Sequence, residues 1–86
     1  MKLKEVIAKT GADKKFCQKL FSINIMTAGV VVLHATLSIS EDKKHLQIGE
    51  GDHCTTTGMW QISKISDIFT MDHKTHGTIT HIIIEP

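Results

Sequence analysis

The chain has 86 residues, 41% of them hydrophobic, and a formal net charge of +1. That length makes a single small domain with little margin in its core; the apolar content argues against a disordered chain, and the nearly cancelled charge against a strong field for nucleic acid or an anionic membrane. All ten basic residues are lysine, so the planar guanidinium fork that reads guanine edges and grips phosphates is missing.

Residues 3–21 read as helical. Leu3, Val6 and Ile7, then Phe16, Leu20 and Phe21, recur at helical spacing, with lysines on the opposite face. Gly11 interrupts the pattern and Asp13 beyond it is a plausible N-cap. The segment is therefore one helix carrying a glycine, or two short helices with a turn at residues 10–12. Lys4 to Leu20 resembles the helix-turn-helix element of bacterial transcription regulators, with Gly11 in the turn and Val6, Ala12, Cys17 and Leu20 near the apolar positions. It departs at Ile7, where the family pattern has a small residue. The resemblance implies a second helix presenting Lys14, Lys15, Gln18 and Lys19 to a duplex, where they would neutralise phosphates and read few bases.

From Gly29 the period becomes two. Val31, Leu33, Ala35, Leu37 and Ile39 share one face of a strand, and Val30, Val32, His34, Thr36 and Ser38 the other. Glu41 to Lys44 is a polar turn, and His45 to Ile48 the second half of a hairpin. Residues 49–58 form a loop with three glycines. Met59 to Ile65 reads as a third strand and Asp67 to Met71 as a fourth, with a helix over residues 63–69 as the competing assignment. Asp72 to Gly77 is a turn, and Thr78 to Ile84 the last strand. Ile82, Ile83 and Ile84 are apolar on both faces, which predicts a strand covered twice, either centrally or by a partner subunit. The expected class is α+β: a helical segment followed by a curved, mostly antiparallel sheet of about five strands, with a partly closed barrel as one form of it.

Six histidines, all after residue 33, are the side chains most suited to chemistry near neutral pH. His73 and His76, three apart in a turn, with His81 in the next strand, form a candidate set for a divalent metal, and Asp72 lies beside them. The same residues make a solvated hairpin tip, which is the preferred reading. His81 alternates with Ile79 and Ile83, which predicts a buried core or interface histidine. In the long loop, Asp52-His53-Cys54 places an imidazole beside a thiol, but neighbours in an extended chain point to opposite sides. Thr55, Thr56 and Thr57 offer hydroxyls to an anion, without the helix and lysine a phosphate loop needs.

Cys17 and Cys54 are far apart in sequence; Lys2 and Lys4 mimic the charged start of a leader, but Lys9, Asp13, Lys14 and Lys15 interrupt any apolar stretch after it. A cytoplasmic protein with reduced thiols is expected. No complete catalytic constellation is present, so the expected function is that of a small accessory or regulatory protein acting by binding, through an unidentified protein partner or as a homodimer. Its contact surfaces are expected at Asp52 to Thr57 and at Asp72, His73 and His76. No cofactor is expected unless the histidines hold a metal. Two alternatives stand: nucleic-acid binding through residues 4–20, and a divalent-metal-binding protein or metal-dependent enzyme using His73 and His76 with Cys54 or His81.

Overall fold

The computed structural model describes residues 1–12, 20–26, 30–50 and 56–85, with the backbone alone at residues 20–22, 30–33, 50, 56 and 57. Helix α1 (Leu3–Thr10) is followed by strands β1 (Leu20–Ile25), β2 (Val30–Ile39), β3 (His45–Glu50) and β4 (Thr56–Gln61). A 3-10 turn (Ile62–Lys64) then leads to β5 (Ile65–His73) and β6 (Gly77–Ile84). The class is α+β, as expected. The described strands number six rather than about five.

The added strand is β1, whose first two residues, Leu20 and Phe21, the helical pattern had claimed. Residues 3–21 are therefore not one helix. Gly11 takes the left-handed conformation with φ 74° and its amide bonds the Ile7 carbonyl, so α1 stops there. Buried Thr10 reinforces the stop: its hydroxyl donates to the Val6 carbonyl at 2.7 Å and accepts from the Ala12 amide at 3.2 Å. At the other end Glu5 accepts from the Lys2 amide at 3.3 Å, one half of a capping box.

The sheet order is β4-β3-β2-β1-β6-β5. All neighbours are antiparallel except β1 and β6, which run parallel. β6 is thus an interior strand, in agreement with its two-sided apolar pattern. β4 and β5 are the edges, yet only three residues separate them in sequence. In a flat sheet the edges would stand about 24 Å apart, while the steps from Gln61 to Ile65 reach at most ~14 Å. The sheet must coil until those ends meet. The ladder stays open, because among the described residues no pairing joins β4 to β5; the partly closed barrel is not formed.

One face of the sheet carries Ile23, Ile25, Ala35, Leu37, Ile39, Leu46, Ile48, Ile65, Ile68, Ile82 and Ile84, which join Val6 and Ala12 in one buried cluster. Leu3, Ile7 and Trp60 pack against it. Each such aliphatic side chain contributes about 1.5–3 kcal/mol when taken fully out of water. The corner between the edges is tied by the backbone. Ile62 donates to the Lys44 carbonyl at 2.9 Å and Glu85 to the Lys64 carbonyl at 2.7 Å. The strand expected over 67–71 is present as part of β5, the competing helix over 63–69 is not formed beyond the 3-10 turn, and the strand expected over 59–65 ends at Gln61.

Gly58 lies under the Trp60 ring, and a Cβ there would overlap the ring atoms. Gly58→Ala should lower stability by about 1–3 kcal/mol and change the emission of the single tryptophan. Urea unfolding followed by Trp60 fluorescence measures both.

Candidate functional site

The long β5–β6 hairpin brings together two of the three histidines of the expected metal set. Phe69 is the cross-strand partner of His81 and His73 that of Gly77, so alternation puts Phe69, Met71, His73 and His81 on one face, away from the helix. The His73 and His81 rings meet edge to edge, Nε2 to Nε2 at 3.1 Å. Phe69 stacks on His81 with centroids 5.2 Å apart and planes 13° from parallel. His81 is only 6% exposed, as its alternation with Ile79 and Ile83 predicts. Among the described residues its Nδ1 has no hydrogen-bond partner.

That orphan atom orders the protons. One ring must donate from Nε2 and the other accept. If His81 accepted, its own proton would sit on Nδ1 as a buried N–H without an acceptor, the rarer and costlier defect. The favoured arrangement has His81 donating from Nε2, with His73 accepting and carrying its proton on Nδ1 nearer to solvent.

The geometry suits a shared proton better than a metal. With bonds of about 2.0–2.1 Å, nitrogens 3.1 Å apart subtend an acceptable angle of about 100° at an ion. The ring centroids, however, are 5.3 Å apart, close to the separation of two nitrogens pointing straight at each other. The lone pairs oppose one another instead of meeting at a third point, and each ring would have to turn by roughly 25° to hold an ion. His76 stays exposed in the turn at 74–76, and no group of three or more metal-binding side chains forms among the described residues.

The other sequence candidates separate. Asp72 is the last residue but one of β5 rather than part of the turn, and its carboxylate accepts from the Thr78 hydroxyl at 2.8 Å. The expected loop over 49–58 is shorter, because Gly49 and Glu50 belong to β3 and Thr56 to Gly58 to β4. Thr56 and Thr57 are placed by their backbone only. Asp52, His53, Cys54 and Thr55 lie outside the described residues, as do Lys14, Lys15, Gln18 and Lys19 of the helix-turn-helix resemblance. His34 is exposed on β2.

A second polar cluster, which periodicity did not mark, occupies the β2–β3 turn. Ser40 donates its hydroxyl to Asp42, the Lys44 amide donates to the same carboxylate at 2.9 Å, and His45 Nδ1 lies 3.2 Å from it. The Ser40 oxygen also accepts from the His45 amide at 3.0 Å. Serine, aspartate and histidine are all present, but the serine is bonded to the aspartate and not to the imidazole. The hydroxyl has no base to activate it, so the cluster is a turn clasp and not a nucleophilic triad. The donors, Ser40 first, then Lys44 and His45, hold the Asp42 carboxyl down at about 2. The spacing Ser40-x-Asp42-x-x-His45 was a visible signal for it.

No family model, curated protein or solved structure matches the chain.

Two outcomes test these assignments. His81→Phe keeps the stack on Phe69 and removes the orphan nitrogen, so its stability should stay within about 1 kcal/mol of the parent, whereas His81→Ala should lose about 2–4 kcal/mol in urea unfolding. Asp42→Asn should lower Tm near pH 7. A depressed carboxyl stabilises the fold fully above its ordinary value of 3.8 and loses that contribution as pH falls toward about 2. The Tm difference between the two proteins should therefore vanish over that window.

Proposed function

We propose that this is a small accessory protein that works by binding, with no catalytic step, and that it docks by strand addition on one half of β5. The observation that carries this reading is the uneven protection of that edge. Asp67 Oδ1 accepts from the Ile68 amide at 2.8 Å, and Lys9 of α1 donates to the Ile68 carbonyl at 3.1 Å. Lys9 and Asp67 also form an ion pair at 3.6 Å. An exposed pair of this kind adds little stability, but here it caps the backbone groups that a foreign strand would need. Antiparallel alternation turns Ile68, Thr70 and Asp72 outward together. Among the described residues nothing caps Thr70 or Asp72 in the same way, and Met71 between them is 51% exposed.

The simplest occupant is a second copy. Antiparallel pairing of two β5 strands about Met71 sets Thr70 opposite Asp72 and brings the two Met71 side chains face to face. Phe69 then lies opposite His73. The capped Ile68 limits the pairing to about five residues, so the contact belongs with small, transient interfaces. The turn at 74–76 borders it, in keeping with the binding role expected of His73 and His76. A cytoplasmic setting fits two cysteines far apart in the chain, and the described helix is far too short to cross a membrane.

Sedimentation equilibrium should show weak, concentration-dependent dimerisation of the parent. Met71→Lys, which sets two ammonium groups face to face, should leave a monomer with unchanged Tm. A parent that stays monomeric at millimolar concentration, or a Met71→Lys protein that still dimerises, would sink the proposal.

A further inference from the structure

Where the two sheet edges meet, a cleft of about 460 Å³ opens between the start of α1, the β2–β3 turn and the 3-10 turn. It lies within the size range of small-molecule sites. Leu3, Ile62 and Met1 give it an apolar wall; Lys43 and Lys44 give it a cationic rim beside His45, and among the described residues no acidic one lines it. The nearby carboxylate, Asp42, is already engaged by the Ser40 hydroxyl, the Lys44 amide and the His45 ring. That engagement also fixes the turn from which both lysines project.

Lys43 has φ 60° and is the sole non-glycine with positive φ among the described residues. Among the described residues glycine, at 11 and 77, occupies the other left-handed positions. Glycine or asparagine would fit at 43 with less strain, because the left-handed region crowds an ordinary Cβ. A strained residue beside a cleft points to a role for its side chain. Lys43 lines the cleft, so what the strained position keeps there is a lysine.

We propose that the cleft binds a small amphiphilic anion, a phosphate or carboxylate on an aromatic or aliphatic body, with its charged group between Lys43 and Lys44 and its body against Leu3 and Ile62. The site is on the opposite end of the sheet corner from the open half of β5 and does not depend on strand addition there. Its contacts are exposed ion pairs at the rim, so binding weakens with salt, while the apolar wall supplies selectivity for the body.

The test is titration of the full chain with 1-naphthyl phosphate, followed by backbone amide shifts, beside inorganic phosphate and 1-naphthol as separate probes. The expected result is saturable shifts at residues 43–45 and 61–63, with each separate probe at least tenfold weaker. Lys43→Gly should bind the aryl phosphate at least tenfold more weakly while melting at a higher temperature than the parent. A variant that gains stability and loses the ligand separates binding from misfolding. Unchanged affinity in Lys43→Gly overturns the proposal, and so does a lower Tm, which removes the strain argument. Inorganic phosphate binding as well as the aryl phosphate would reduce the site to a plain cationic patch, and 1-naphthol binding as well would leave an apolar pocket without anion selectivity. Shifts scattered over the sheet would also overturn it.

Discussion

Three residues, Ile62, Ser63 and Lys64, connect the two outermost strands of a six-stranded sheet. That short bridge is the constraint on which the rest depends, because a flat sheet would hold the strand ends too far apart to be joined. Coiling turns one face inward, where the isoleucines and leucines of all the central strands converge with Val6 and Ala12. It also creates the corner at which the β2–β3 turn, the start of α1 and the 3-10 turn surround a cleft. The core and the cleft are thus two consequences of one connection.

The helix acts on both the core and the edge. Its apolar side, with Val6 fully buried, covers the inner face, and Lys9 on its solvent side reaches the Ile68 carbonyl on β5. Natural sheets commonly protect their edges with charge, and here the protection covers one part of the strand. The coupling of a covering helix to a half-open edge is the observation from which strand addition is proposed. At the β2–β3 turn Lys43 bears a local backbone cost beside the cleft proposed as an anion site.

The histidines show how far residue type alone can mislead. His73, His76 and His81 stood as an alternative metal set beside the preferred hairpin tip; among the described residues His73 and His81 meet head to head, Nε2 to Nε2, which is the geometry of a shared proton. The bond ties the tip of the β5–β6 hairpin to its middle, since His73 lies opposite Gly77 and His81 opposite Phe69. His45, which sequence spacing left as a mere strand start, is the imidazole clasped by a carboxylate.

Much of the architecture was readable from residue order. The period-two pattern up to Ile39 and the polar turn at 41–44 identified a hairpin, and the doubly apolar Ile82 to Ile84 left an interior strand as one of two readings; the pattern does not run unbroken from residue 31, because the register of β2 against β1 shifts between Phe21 and Ile23. The burial of His81 followed from the same alternation. Strand β1 was not readable: Leu20 and Phe21 also satisfy a helical period, and a short apolar run does not distinguish the two. Tertiary structure alone decided the parallel contact of β1 with β6, the coiling imposed by the edge-to-edge link, and the pairing of His73 with His81 across eight residues. Each of these depends on which strands become neighbours. A sequence encodes the faces of its strands residue by residue, but the order in which they line up is settled only when the whole core closes.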